Sequence, residues 1–293
     1  MSLLAQAGES PRSTKQPRPS RRTPLTDRIA LGVAAVMVVI AIIGPWIAPH
    51  DPLTVDLSNA LKPPSAAHWF GTDLNGRDVL SRVLAGARLT MSATAVVLAV
   101  TVVIGVVLGT LAAVGGRVVD EILMRVADIG LALPSIVLAL GFAVALGPGL
   151  KSAVIAVAAS WWPGYVRLVR TMVRETLGRE FIEASRALGV SRWRLVRRHV
   201  LPNSLDLLYV QVTLDVAAVM LTISGLSFIG VGAQVPSPEW GAMISAAAAN
   251  ATTAWWALIA PGLAISVTAI AFSLAGDWLR VVRDPTLQEV VRL

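Results

Sequence analysis

The chain has 293 residues, 55% of them hydrophobic and only 15% charged, where soluble domains carry about 25% charge. Its mean hydropathy of +0.69 describes a protein whose solvent is largely lipid. The 25 basic and 18 acidic residues leave a net charge of +7, a value that in a soluble chain suggests nucleic acid; the absence of cysteine excludes disulfides, thiolate metal sites and a cysteine nucleophile.

In chain order, residues 1–28 contain four prolines and six Lys or Arg but no periodic apolar face, the pattern of a disordered basic cytoplasmic tail. Ile29 to Pro49 is uncharged and long enough to cross a hydrocarbon core of about 30 Å. It is read as an uncleaved first transmembrane helix, which with the loop that follows occupies residues 29–87. Leu89 to Val114 and Ile129 to Leu150 are further uncharged stretches, the second interrupted by Pro134 and ending at Gly147-Pro148-Gly149. Ser152 to Val166 is short, yet Lys151 and Arg167 can extend towards the interfaces at either end. Leu207 to Gly230 carries only Asp215, and Ala254 to Gly276 carries no charge. The expectation is an all-α polytopic membrane protein with six transmembrane helices, helices two to six lying within residues 88–277 and a cytoplasmic C-terminal tail at 278–293.

Positive charge stays on the cytoplasmic side of short loops. Six Lys or Arg lie in the N-terminal tail, two between helices two and three, nine from Arg167 to Arg198 and three in the C-terminal tail. The opposite loops hold Lys62, Arg77, Arg82, Arg88 and Lys151. Both termini are therefore expected in the cytoplasm. Topology accounts for the basic balance without nucleic acid.

Catalytic chemistry finds little support. His50 and His68 share the outer loop without a ligand spacing and His199 is elsewhere, so all three read as surface residues and no metal is expected. No lysine stands in a phosphate-binding Gly-Lys-Ser/Thr loop; nucleotide energy, if used, comes from another chain. The segment from Arg170 to Asn203 is the most informative. Phe181, Ala184 and Leu188 recur at helical spacing, Gly189 is expected to close that helix with a positive φ, and Ser191 can cap a second short helix. The second helix would present Trp193, Val196 and Val200 as an apolar ridge rimmed by Arg192, Arg194, Arg197 and Arg198, until Pro202 ends it. Such a knuckle suits docking into a groove on a cytoplasmic partner, although an ordinary positive-inside loop fits the same residues.

These residues resemble a known family. Glu183-Ala184-Ser185, Gly189 and His199-Val200-Leu201-Pro202 are similar to the EAA loop of membrane subunits of binding-protein-dependent ABC importers, with Ser185 in place of the second Ala and His199 where many relatives have Ile. Gly71-Thr72-Asp73, Gly76-Arg77-Asp78 and Ser81-Arg82 resemble a segment of the C-type permease of dipeptide, oligopeptide and nickel importers. Asp128 with Leu133-Pro134-Ser135, Gly225 to Gly230, Gly276-Asp277 with Leu279-Arg280, and Asp284-Pro285 fit the same subunit. A Glu common in the family just before Leu226-Ser227-Phe228 is missing between Leu221 and Ser224. The resemblance implies a type I ABC importer transmembrane fold with a cytoplasmic coupling helix, and coupling to an ATPase through Glu183, Ala184, Ser185, Leu188, Gly189, Trp193, His199 and Pro202. It implies as partners a homologous B-type permease subunit, two ABC ATPase subunits that hold ATP and Mg, and an extracytoplasmic solute-binding protein, in the cytoplasmic membrane of a prokaryote. This chain itself would need no cofactor and would not be an enzyme.

Three further readings rest on the residues alone. Asp73, Arg77 and Asp78 can pair locally while Gly71 and Gly76 allow tight turns, so Gly71, Thr72, Asp73, Gly76, Arg77 and Asp78 read as a folded cap over the outer mouth, chiefly structural. Gly105 and Gly109 form a small-residue face for close helix packing. Asp215 would cost roughly 2.5–3.5 kcal/mol facing lipid, so the stripe Gln211, Asp215, Ala218, Thr222 and Gly225 is expected to line a translocation path or subunit seam, with a bond to a neighbouring helix as the equal alternative. An ion-coupled secondary transporter or channel usually needs more intramembrane charge than this.

Overall fold

The computed structural model describes residues 25–283, so both tails expected from the sequence lie mainly outside the described residues. The described residues are helical apart from loops, and their single β-bridge joins Thr72 to Asp78.

Helix α1 (Leu25–Ile47) lies along α2 (Val79–Val114). Only its Ala30, Ala34, Met37 and Gly44 are buried; a Cβ at Gly44 would stand 2.3 Å from the Leu84 carbonyl oxygen, so this glycine sets how closely the two helices approach. Val36, Val39, Ile42 and Ile43 face outward, as a surface solvated by acyl chains requires. Helix α2 spans about 54 Å at 1.5 Å per residue. It begins ten residues before the expected span, because Asp78 caps it, its carboxylate accepting from the Ser81 N–H and hydroxyl at 2.8 and 2.7 Å. Arg82 and Arg88 are consequently helical rather than in a loop.

The third expected span is not one rod. Helices α3 (Arg117–Leu131) and α4 (Ser135–Leu146) meet at 87°, because Pro134 offers no N–H and disfavours helical backbone in the residue before it. The fourth span is longer than expected. Helix α5 (Leu150–Leu177) runs through Arg167, Arg170 and Arg174, whose guanidiniums meet Asp128 and Asp120 of α3. A helix with paired charges can continue where an isolated apolar run would stop. Gly105 and Gly109 pack α2 onto α5: added Cβ atoms would lie 2.5 Å from Tyr165 Cβ and 2.7 Å from the Val166 carbonyl oxygen.

Four short elements follow: α6 (Glu180–Ala187), α7 (Arg192–Leu195), a π-turn at Val196–Val200 and α8 (Leu201–Ser204). Then come α9 (Asp206–Ile229), α10 (Trp240–Ala248) and α11 (Trp255–Arg283). Among the described residues, α1, α2, α9 and α11 are each long and apolar enough to cross a membrane, and the bent α3–α4 pair is a fifth candidate. One core joins α2, α4, α5 and α9 through Val97, Ala139, Val157, Val169 and Ile223. A second, around Met220, Trp240, Met243 and Trp256, joins α1, α9, α10 and α11 near the start of α2.

Candidate functional site

The knuckle forms at the Val114 end of α2. Gly189 has φ +78°; its N–H donates to the Arg186 carbonyl at 2.9 Å and the Val190 N–H to the Ser185 carbonyl at 3.3 Å. This pair of bonds closes α6 with a glycine whose missing Cβ removes the left-handed penalty. The apolar residues then divide in a way the sequence did not suggest. Ile182, Leu195, Val196 and Val200 turn inward and join or border the main core. Phe181, Leu188 and Trp193 face solvent, Leu188 at 84% and Trp193 at 73% exposure. The expected ridge of Trp193, Val196 and Val200 is thus split, two of its members being the anchor.

Pro202 does not end the second helix. The Leu201 N–H reaches back five residues to the Val196 carbonyl, and Pro202 falls in the first turn of α8, where a missing donor is tolerated. The Asn203 amide donates to the His199 carbonyl at 2.6 Å. The Ser204 hydroxyl lies 2.6 Å from the Val200 carbonyl and 3.0 Å from the Thr176 hydroxyl on α5. Glu183, Ala184, Arg186, Arg194, Arg197 and Arg198 remain exposed, while Ser185 bonds its own helix at the Phe181 carbonyl.

The opposite end of α2 carries the cap. Gly71 and Gly76 have φ +68° and +70°, and a Cβ at Gly76 would fall 1.7 Å from the Asp56 carbonyl oxygen. Asp73 accepts from Arg77 Nε at 2.8 Å and from the Asn75 and Arg77 N–H groups at 2.8 and 3.0 Å. Thr72 is fully buried; its hydroxyl accepts from the Lys62 N–H at 2.8 Å, and its carbonyl accepts from the Trp256 indole at 3.1 Å. Arg82 reaches the carbonyls of Pro52, Pro236 and Ser237, tying the cap to the loop before α10. Asp78, expected to pair with arginine, instead caps α2 through Oδ2, and its Oδ1 lies at hydrogen-bond distance, 2.9 Å, from His68 Nδ1.

Asp215 meets Tyr165, whose hydroxyl donates at 2.7 Å, and the Gln211 amide at 3.0 Å. The three border a cavity of about 540 Å³ that also touches Ser135, Trp161 and Arg167. Of the expected stripe, Gln211 and Asp215 line this cavity; Thr222 is buried, its hydroxyl donating to the Ala218 carbonyl at 2.8 Å, and these two lie further along α9, away from the cavity lining.

Three features escaped the sequence reading. Tyr165 is invisible as a partner because it lies 50 residues from Asp215. Glu239 is fully buried as the cap of α10, accepting from the Ala242 N–H and the Ser224 hydroxyl at 2.9 Å and from Thr90 at 3.3 Å. An acidic residue immediately ahead of the uncharged run Trp240 to Ala249 was the available signal of a helix start. The third is the convergence of His50 and His68 on Asp78.

The family model described as the binding-protein-dependent transport system inner membrane component matches residues 105–289, more than half of the chain. The chain belongs to this family. Residues 28–64 match a second model, the N-terminal TM domain of oligopeptide transport permease C. Among individual relatives, the probable D,D-dipeptide transport system permease protein DdpC of Escherichia coli (strain K12) is 44% identical, covering 90% of this chain and 88% of its own length. The dipeptide permease DppC of Alkalihalophilus pseudofirmus and the nickel permease NikC of Escherichia coli (strain K12) are each 38% identical, covering 89% of this chain and 86% and 94% of their own lengths. The permease fold also matches inward-facing structures of the MetNI methionine ABC transporter. One has a TM-score of 0.53 at 22% identity, covering 68% of this chain and 95% of that one. As a member of this family the protein is a multi-pass membrane component of a transport system, not an enzyme.

Proposed function

We propose that the chain is the C-type permease subunit of an ATP-driven importer for dipeptides or related short peptides. The reading rests on the knuckle, an exposed Phe181, Leu188 and Trp193 surface mounted on the buried anchor of Ile182, Leu195 and Val200, in a chain similar to D,D-dipeptide and dipeptide permeases. Force applied to Leu188 or Trp193 passes into α5 and the main core through packed side chains rather than a flexible strand. Two ABC ATPase subunits supply the force. They bind ATP and Mg, and this chain contributes no nucleotide site; Glu183, Ala184, Ser185, Leu188, Gly189, Trp193, His199 and Pro202 form or support the docking element. A B-type permease completes the pore, and an extracytoplasmic binding protein delivers solute at the cap.

In this arrangement the chain crosses the membrane six times, counting the bent α3–α4 pair and α5, with both termini and the knuckle cytoplasmic. The cavity of Tyr165, Gln211 and Asp215 lies on the solute path or at the seam with the partner permease. Single cysteines at Asn59 and Arg192, probed with an impermeant thiol reagent in intact cells, test the orientation: labelling only at position 59 is expected, and labelling only at 192 reverses it. Reconstitution with the partner subunits and binding protein, followed by uptake of labelled D,D-dipeptide, L,L-dipeptide and Ni²⁺, tests the function. ATP-dependent dipeptide uptake is expected. Uptake driven by an ion gradient without ATP, or of Ni²⁺ alone, would replace the reading.

A further inference from the structure

We propose that His50, His68 and Asp78 bind a divalent first-row transition cation of the zinc, nickel or cobalt class, which clamps the end of α1 to the cap. The proposal is independent of which solute the permease carries. The three residues lie on the loop after α1, within the cap and at the start of α2, and the fold brings one ligand atom of each within 4.8 Å of the others. His68 Nδ1 is 2.9 Å and His50 Nδ1 3.8 Å from the same Asp78 oxygen, Oδ1. Donors about 2.0–2.2 Å from one cation stand roughly 3–4 Å apart, so small side-chain adjustments complete the set.

The donor chemistry and its surroundings point the same way. Two imidazoles and one carboxylate favour zinc, nickel or cobalt over magnesium and calcium, which take oxygen ligands. The other oxygen of Asp78 accepts from the Ser81 N–H and hydroxyl at 2.8 and 2.7 Å, which orients Oδ1 towards the two rings. The Ser81 hydroxyl also accepts from the His50 N–H at 3.0 Å, so one side chain positions two of the three ligands, as outer partners of metal sites do. The rings lie 4.8 Å apart at a 37° tilt. The His50 ring makes no hydrogen bond to another described residue and its side chain is 44% exposed, whereas Asp78 is 1% exposed. The site is therefore rooted in the cap and open at His50, leaving a position for water.

The test uses the full chain in lipid nanodiscs, stripped of metal and titrated with Co²⁺, reading visible d–d absorption, with Zn²⁺ as competitor. One equivalent of cobalt displaced by zinc is expected. His50→Gln should weaken binding at least about 10-fold, since even outer-partner losses cost that much, and His199→Gln should leave it unchanged. Asp78 is left intact because it caps α2; His68→Gln is a second variant, and His50→Gln, at the exposed position, keeps the test valid if that variant misfolds. Equal cobalt binding by wild type and His50→Gln, or no d–d absorption in wild type, would leave only a hydrogen-bonded His–Asp pair and overturn the proposal.

Discussion

The cap and the knuckle use similar residues at opposite ends of α2, to opposite effect. Each has arginines, carboxylates and glycine at positive φ, two such glycines in the cap and one in the knuckle. In the cap these turn inward: Arg77 and Arg82 are buried around Asp73, and both glycines sit against neighbouring backbone or a tryptophan ring. In the knuckle, Arg186, Arg194, Arg197 and Arg198 are exposed and no described residue forms an ion pair with them; nothing lies within 4 Å of a Cβ at Gly189. Charges satisfied internally make a rigid element of the fold. Charges and apolar groups left unsatisfied make a surface that needs a partner.

The difference can be broken first at the cap. Asp73→Ala leaves two buried guanidiniums without their carboxylate and is expected to cost about 3–5 kcal/mol, seen as a lowered denaturation midpoint in detergent. Gly76→Ala adds left-handed strain of about 1–2 kcal/mol to a clash of about 1–3 kcal/mol, and should open the segment around Asp56 to protease. If either variant keeps wild-type stability, the cap is not the rigid element described.

The effect on stability should shrink towards the other end of α2. Tyr165→Phe removes a hydrogen bond to a carboxylate, worth about 1.5–3 kcal/mol; a fall in solute uptake beyond that accompanying destabilisation would favour the path over a purely structural bond. Gly189→Ala has room for its Cβ and should cost only about 1–2 kcal/mol of backbone strain, while Gly189→Pro, whose ring cannot reach φ +78°, should lower uptake at least about tenfold with the cap still protease-resistant. Trp193→Ala should change stability by less than about 0.5 kcal/mol yet weaken co-purification of the ATPase. Destabilisation by Trp193→Ala with unchanged co-purification would mean that this surface is part of the fold rather than an interface.

Much of this contrast could be read from local pattern. Gly189 follows a helical repeat of Phe181, Ala184 and Leu188, and its positive φ is the consequence. Gly71 and Gly76 were equally legible as turns. What the pattern could not divide was Trp193 from Val196 and Val200, since a ridge of apolar residues has the same periodicity whether it packs inward or binds a partner. Asp215 was legible as a charge needing satisfaction, but Tyr165 as its source was not.

The sequence alone determined the solvent, the apolar runs and the breaks at Gly189 and Pro134, because each depends on residues within about a turn or two of one another. Tertiary structure decided the rest. Pro134 allowed a bend, but its 87° angle is held by α3 and α4 each packing against α5, and α5 outran its apolar run because Asp120 and Asp128 on another helix meet its arginines. His50, His68 and Asp78 converge, and Glu239 finds Thr90 and Ser224, only when the ends of α1, α2, α9 and α10 are brought together. Local periodicity says which face of a helix is apolar; which neighbour that face meets is set by the closeness that glycines such as Gly105 and Gly109 permit between whole helices.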